Sequence, residues 1–256
     1  MAKLISHPDG FSPAKSKIGG GKSQGLGLRP KGEIMSEVTL QQLLEAGCHF
    51  GHQARRWNPA MKKYIYGERD GVHIFDLVKT KEGLDNATAF VKTLASQGKT
   101  VLFIGTKRQA QEIIKETAVK LGMPYLIQRW IGGILTNHDQ IWKRVLKMKD
   151  LKAKREVGEL KKYTKREQLL IDREIAQLEK FFGGVAGMEK QPDALFVVDS
   201  HREDVAVREA KIMNIPVIGM VDTNGDPNKV DYVVPVNDDA VKSIELIVGA
   251  VAGAMK

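Results

Sequence analysis

Three short segments of the sequence place arginine or lysine beside tryptophan, asparagine, histidine or glycine where an apolar stretch ends. They are residues 47–59 (GCHFGHQARRWNP), 105–108 (GTKR) and 129–137 (RWIGGILTN). Guanidinium groups pair with phosphates and stack on flat rings, so such segments suit a polyanion that carries bases. Because none of the three pairs a nucleophile with a base, their chemistry favours binding over catalysis.

The candidate RNA-binding residues follow from these segments and from one charged helical region. A solvated loop accounts for the charges of the first segment but not for the aromatic residues among them, which favours RNA contact. In the helical region, a solvated helix face is the simpler interpretation when the charges are taken alone. The candidates are Arg55, Arg56, Trp57, Asn58, Lys62, Lys63, Lys107, Arg108 and Arg129, then Lys143, Arg144, Lys147, Lys161, Lys162, Lys165 and Arg166.

The segment GTKR follows a predicted strand and opens a predicted helix, where backbone N–H groups and the helix dipole attract phosphate. An RNA phosphate or a structural role is favoured there over a mononucleotide, because the chain lacks a G-x-G-x-x-G fingerprint. The run GGGKS at 19–23 also fails as a P-loop, since Ser16 stands where that motif requires glycine. We expect no cofactor.

A metal site is the alternative chemistry, with His52, Asp199 and Asp222 as the ligands. The two aspartates end neighbouring predicted strands, the edge at which α/β folds place their sites. The simpler interpretation is favoured: Asp199 caps the next helix, Asp222 begins a turn, and His49 and His52 pack the N-terminal segment onto the sheet.

The elements that must position these residues alternate along the chain. Short, β-rich apolar runs occur at 72–77, 101–105, 125–127, 194–199, 217–222 and 232–236, and helical patterns occur at 80–97, 107–121, 203–214 and 238–254. A short helix from Thr39, with a glycine stop at Gly47, precedes them. Continuous apolar runs suit strands covered on both faces. The sequence therefore predicts an α/β fold, a doubly wound (Rossmann/flavodoxin-like) three-layer domain with a parallel sheet.

Residues 138–183 interrupt this alternation. Apolar residues recur there at steps of three and four on two otherwise charged helices, which break near Gly158 and restart at a capping box formed by Thr164 and Glu167. Narrow apolar seams and a short connection predict an antiparallel coiled-coil hairpin that protrudes from the sheet. The α/β domain then comprises 35–137 and 184–256.

Composition and charge indicate a globular, RNA-facing protein. The chain has 256 residues and a net charge of +9, but lysine and arginine outnumber aspartate and glutamate by 33 to 19 in residues 1–182 and are outnumbered 7 to 12 in residues 183–256. The basic face therefore belongs to residues 1–182, and the acidic last quarter should avoid phosphates.

The composition of residues 1–34, which is rich in glycine, serine and basic residues, predicts a disordered extension. The single cysteine fits a reducing compartment.

Several long motifs carry a family resemblance. AGCHFGHQARRWNPAMKKYIYGERDGVHIFDL (46–77), LFIGTKRQA (102–110), RWIGGILTN, PDALFVVDS (192–200) and REAKIMNIPVIGMVDTNGDP (208–227) resemble the bacterial-type small-subunit ribosomal protein S-two family. The resemblance runs from about Met35 to about Met255, and residues 1–34 lie outside it.

This resemblance implies a structural, RNA-binding component of the small ribosomal subunit that is cytoplasmic and is not an enzyme. It implies ribosomal RNA and neighbouring small-subunit proteins as partners, the OB-repeat ribosomal protein S-one among them, and no membrane. It further implies late assembly at the boundary between body and head. The alternative from the residues alone is a Rossmann-like enzyme acting on a sugar phosphate or nucleotide at the Asp199 and Asp222 edge.

Overall fold

The structure of the protein is a computed structural model that describes residues 38–188 and 190–256. The predicted basic extension, residues 1–34, lies outside the described residues. The described chain begins with helix α1 (Leu40–Glu45), which starts at a capping box between Thr39 and Gln42. Gly47 follows this helix with a φ of 74°, so the predicted short helix and its glycine stop are confirmed.

Three short strands after this helix form an antiparallel sheet that was not expected from the sequence. They are β1 (Phe50–Gln53), β2 (Ile65–Arg69) and β3 (Val72–Phe75), in the order β1-β3-β2. The assignment of residues 72–77 to the parallel sheet was therefore wrong. Strands β2 and β3 are joined at Asp70 and Gly71, whose φ values are 54° and 75°. An Asp-Gly pair is a strong hairpin signal, because the tight turn needs positive φ at both positions.

The remaining elements form the main domain. In chain order they are α2 (Leu77–Ser96), β4 (Val101–Ile104), α3 (Gln111–Leu121), β5 (Tyr125–Leu126), α4 (His138–Glu156), α5 (Lys165–Phe182), β6 (Ala194–Val198), α6 (Asp204–Ile212), β7 (Val217–Val221), β8 (Tyr232–Pro235) and α7 (Val241–Ala254). The last five strands form a parallel sheet in the order β5-β4-β6-β7-β8. Counted along the chain, this is the flavodoxin-like order 2-1-3-4-5, so the predicted parallel α/β architecture is confirmed.

Two apolar clusters cover the two faces of the parallel sheet. Strand β4 shows the division: Val101 and Phe103 join a cluster with α2, α3 and α7, whereas Leu102 and Ile104 join a cluster with α6. Every residue of β4, β6 and β7 is buried. Strands buried on both faces need continuous apolar runs, because neither face meets water. This is the pattern that made them predictable.

Helices α4 and α5 pack against each other and are joined by residues 157–164, so they run in opposite directions. Helix α5 begins at the predicted capping box of Thr164 and Glu167, and the break lies at Gly158, whose φ is 81°. Although both helices are 18 residues or longer, no helix in the described part of the chain combines the length and hydropathy that a membrane span requires.

The base of this helix pair lies in the core of the α/β domain. Ile141, Val145, Met148 and Phe182 belong to the same apolar cluster as the α6 face of the sheet. The two helices are also joined by ion pairs, for example between Lys152 Nζ and Glu179 Oε1 at 2.6 Å. Coiled-coil packing and protrusion of the helix pair remain predictions.

Candidate functional site

A network of charged side chains lies where the parallel strands end. Lys107, which follows β4, is buried, with 9% of its surface exposed. Its Nζ lies 3.0 Å from Asp199 Oδ2, 2.5 Å from Asp238 Oδ1 and 2.7 Å from Asp239 Oδ1. Burial alone lowers the pKa of Lys107, but the carboxylates of Asp238 and Asp199 outweigh it, so the pKa is raised. Lys107 therefore stays protonated and neutralises acidic groups inside the protein.

The prediction that Lys107 contacts RNA does not fit this position. A buried ammonium already paired with three carboxylates has no face to offer a phosphate. Of the two interpretations given for GTKR, a phosphate site or a structural role, the structural role fits better, because α3 begins at Gln111 and the segment itself does not open the helix. Arg108, in contrast, is exposed and stays in the candidate set.

His52 attaches β1 to the same edge of the sheet. Its Nδ1 lies 3.0 Å from Asp222 Oδ1, and its backbone N–H donates to Thr223 Oγ1 at 2.8 Å. The hydrogen bond to Asp222 raises the pKa of His52, against the opposing effect of burial. The expectation that this histidine packs the N-terminal segment onto the sheet is confirmed for His52.

The structure changes the set of residues that could hold a metal. His52, Asp222 and Asp238 each offer a ligand atom, and these atoms lie within 4.8 Å of one another. Asp199, the third ligand in the sequence-based alternative, instead pairs with Lys107. The lysine ammonium also binds the Asp238 carboxylate, so a metal ion at Asp238 would have to compete with a cation already present.

The role predicted for Asp199 as a helix cap is also corrected. Helix α6 begins at Asp204, five residues later, and its N-cap residue Glu203 makes no side-chain capping bond. Asp199 has a φ of 68°, and its Oδ1 accepts a hydrogen bond from the Arg202 backbone N–H at 2.9 Å. It therefore stabilises the turn before α6 rather than the first turn of the helix.

Hydrogen-bonded side chains lie between the ends of β4 and β6. Thr106 Oγ1 donates to Glu203 Oε1 and accepts from Arg202 Nε at 2.9 Å. Burial raises the pKa of Glu203. In doubly wound folds this is the point where strand order reverses and small ligands bind. In this protein, side chains occupy that position.

The first basic segment lies beside this edge on two 3-10 turns, Ala54–Arg56 and Pro59–Tyr64. The side chains of Arg55, Arg56, Lys62 and Lys63 are exposed. They form an accessible group of four positive charges.

Trp57 and Asn58 hold this segment in place. The Trp57 ring is half-buried and lies 5.0 Å from the His73 ring, centroid to centroid. The Asn58 backbone N–H donates to the Thr223 carbonyl at 2.7 Å, and its side chain accepts from the Ala60 N–H. Both residues therefore have anchoring roles besides the RNA contact predicted for them.

The segment at 129–137 is organised by Glu209, a residue that the sequence analysis missed. Glu209 Oε1 accepts hydrogen bonds from Trp130 Nε1 at 3.0 Å and the Gly133 N–H at 2.8 Å. Its Oε2 accepts from the Leu135 N–H at 3.1 Å, the Thr136 N–H at 3.3 Å and Thr136 Oγ1 at 3.2 Å. The signal was a glutamate on the buried face of a predicted helix.

This carboxylate fixes the loop that presents Arg129 and leads into α4. Burial raises the pKa of Glu209, but the hydrogen bonds from Trp130 and the loop N–H groups outweigh burial, so the pKa is lowered. Trp130 is buried, which fits the simpler interpretation of it as a core residue, whereas Arg129 is exposed.

The predicted cations of the helix pair lie on its surface. Lys147 forms an ion pair with Glu174 across the two helices, and Lys162 lies 5.5 Å from the centroid of the Tyr163 ring. All seven are exposed: Lys143, Arg144, Lys147, Lys161, Lys162, Lys165 and Arg166.

Comparison with known proteins gives one consistent result. The family model described as Ribosomal protein S2 matches residues 43–256. A protein named small ribosomal subunit protein uS2, from Coprothermobacter proteolyticus, is 55% identical over 221 residues, which cover 86% of this chain and 82% of that protein. The protein of the same name from Parabacteroides distasonis is 52% identical over 221 residues, covering 86% and 80%. Since both are ribosomal proteins and not enzymes, the resemblance and the expectation of a non-enzyme are confirmed.

Proposed function

Because this chain belongs to the ribosomal protein S2 family, we propose that it is a structural component of the small ribosomal subunit that binds ribosomal RNA. The observation that carries the proposal is a set of exposed cations on three loops and the helix pair. They are Arg55, Arg56, Lys62, Lys63, Arg108 and Arg129, with Lys143, Arg144, Lys147, Lys161, Lys162, Lys165 and Arg166. Such cations hold phosphates and position RNA without reading its sequence.

Two of the loops proposed to contact RNA are held in place by hydrogen bonds to the α/β domain. Asn58 ties the first loop to Thr223, and Glu209 ties the loop after Arg129 through five hydrogen bonds. A fixed cation binds phosphate at a lower entropic cost than one on a mobile loop. The sheet domain acts as a rigid platform, and the cations project from it toward RNA.

The enzyme alternative would require a substrate to displace an existing network of side chains. A sugar-phosphate or nucleotide enzyme of this architecture would bind its substrate between the ends of β4 and β6. At that position Thr106 is hydrogen-bonded to both Arg202 and Glu203, and Lys107 is paired with the buried carboxylates of Asp199 and Asp238. The edge therefore has a structural role.

The partners follow from this function. They are the small-subunit ribosomal RNA and neighbouring small-subunit proteins, with the OB-repeat ribosomal protein S-one as one candidate neighbour, and the location is the cytoplasmic ribosome. Late assembly at the boundary between body and head belongs to the same proposal.

The test compares two sets of four lysine or arginine replacements that change the net charge equally. The test variant carries Arg55→Gln, Arg56→Gln, Lys62→Gln and Lys63→Gln; the control carries Lys115→Gln, Lys120→Gln, Lys211→Gln and Lys242→Gln, all exposed positions outside the proposed set. Affinity of the full chain for a ribosomal RNA fragment is measured against salt, and association with small subunits is measured by sedimentation.

We expect the test variant to bind more weakly and to lose roughly 0.7–0.9 in the slope of log affinity against log salt for each phosphate contact removed. The control should resemble the unmodified protein. Equal losses in the two variants would show that only net charge matters, and a salt-independent affinity in the unmodified protein would refute binding through phosphates.

A further inference from the structure

A cleft lies between the loop after Arg129 and the base of the helix pair. Its volume is about 550 Å³, within the range of roughly 300–1,000 Å³ that is typical of ligand pockets. Ile131, Leu178 and Phe181 line it, and all three are partly buried hydrophobic residues packed on the core. The cleft therefore presents an apolar surface that includes the Phe181 ring, and Trp130 and Phe182 line it as well.

The rim of this cleft is positively charged. Arg129, Arg144 and Lys147 line it together with one carboxylate, Glu174, which pairs with Lys147. Both arginines are exposed. An apolar floor under a cationic rim is complementary to an occupant that combines a flat apolar group with negative charge.

The loop wall of the cleft is preorganised. Glu209 holds the loop through hydrogen bonds to Trp130, Gly133, Leu135 and Thr136. The other wall belongs to helices whose base shares the domain core. Binding in the cleft therefore does not require the loss of conformational entropy that ordering either wall would cost.

We propose that this cleft binds one unpaired nucleotide of RNA, with its base against Leu178 and Phe181 and its phosphates at Arg129 and Arg144. Unpaired bases are the part of RNA that proteins stack on aromatic rings, while arginine contacts the adjoining phosphates. The inference rests on the proposed RNA-binding function and specifies which element of the RNA this part of the surface takes. A single apolar protein side chain would match the floor but carries no negative charge for the cationic rim.

The experiment uses the full chain and three RNA hairpins that differ at one position: one bulged adenosine, an abasic ribose in its place, or no bulge. Fluorescence anisotropy at a fixed salt concentration gives their affinities. We expect the bulged adenosine to bind about tenfold more tightly than the abasic RNA, within the range that base stacking on protein provides. Phe181→Leu should reduce this ratio, and Arg144→Gln should weaken binding of all three RNAs.

Two matched controls separate the cleft from general effects. Phe90→Leu changes a partly buried phenylalanine in the other apolar cluster. Arg173→Gln removes an exposed arginine of the helix pair that neither lines the cleft nor belongs to the proposed RNA-binding set. Phe90→Leu should leave the adenosine preference unchanged, and Arg173→Gln should leave the affinity for all three RNAs nearly unchanged.

A second measurement stands even if Phe181→Leu fails to fold. In the unmodified protein, 4-thiouridine at the bulge should cross-link within residues 129–182. Equal affinity for the bulged and abasic RNAs, cross-links elsewhere, or a neighbouring protein cross-linked to the cleft in assembled subunits would overturn the inference. If none of the three RNAs binds at all, the proposed function itself fails, so the two failures are distinguishable.

Discussion

Replacing Glu209 with glutamine should destabilise the protein strongly, although the two side chains have nearly the same shape. Oε1 accepts two hydrogen bonds, from Trp130 and Gly133, and Oε2 accepts three, from Leu135 and Thr136. Whichever oxygen becomes the amide nitrogen, N–H groups then face at least two donors. Hydrogen bonds to a charged group contribute about 1.5–3 kcal/mol each, so the free energy of unfolding should fall by about 3 kcal/mol or more.

The fall in the free energy of unfolding caused by Glu209→Gln should become smaller as the pH is lowered. The folded-state pKa of Glu209 is lowered, because the hydrogen bonds from Trp130 and the loop outweigh burial. Its contribution is therefore fully present above the unfolded-state pKa, about 4.3, and is lost as pH falls through the folded-state pKa. The difference in stability between the unmodified protein and Glu209→Gln should narrow on acidification from neutral pH.

The assay is urea unfolding at several pH values, with Glu174→Gln as the matched control. Glu174 is a partly exposed partner of Lys147, and removing an ion pair near the surface costs about 0–1 kcal/mol. Two results would refute the idea that this carboxylate holds the loop. One is a fall of less than about 1 kcal/mol in the free energy of unfolding for Glu209→Gln, and the other is a stability difference between the two proteins that grows in acid.

Three further predictions concern other parts of the molecule. Lys107→Met should lower the free energy of unfolding by about 3–5 kcal/mol because it leaves buried carboxylates unpaired, whereas Arg108→Met should change it little; thermal or urea unfolding measures both. Replacing residues 140–182 by a short Gly/Ser link should preserve a cooperative melt at a lower temperature, since the shared core at the helix base is lost, and should weaken RNA binding; loss of the cooperative transition would contradict this. In assembled subunits, RNA cross-links from residues 226–239 should be much weaker than those from residues 55–63, because like charges repel; comparable yields would show otherwise.

The parallel sheet was predictable because its signal is local and redundant. A strand covered on both faces must be apolar at successive positions, as in residues 194–198, all of which are buried. The antiparallel strands were not predicted, because β1 and β2 are half-exposed and carry histidine, glycine and charged residues. Their one local signal was the Asp70-Gly71 turn, which is typical of a hairpin. The apolar run that follows it at 72–77 was instead assigned to the parallel sheet.

The candidate site was harder to predict than the fold, since its contacts join residues far apart in the chain. Lys107 meets Asp238 across 131 positions, and Trp130 meets Glu209 across 79. A linear pattern shows that a lysine follows a strand, but not whether buried carboxylates surround it. The same limitation affects the charge count of the last quarter, where Asp199, Asp238 and Glu209 contribute to its acidity yet are buried.

The buried charges connect this edge of the sheet to the proposed function. Lys107 follows β4, Asp199 follows β6 and Asp238 follows β8, so one ammonium joins the ends of three strands. The contact of His52 with Asp222 adds β1 and β7 to the same network. A buried ion pair contributes less to stability than its Coulomb energy suggests, but it can select one arrangement of the chain. Here the selected arrangement fixes the first basic loop beside the sheet, and a fixed position for exposed cations is what a protein needs to hold folded RNA through its phosphates.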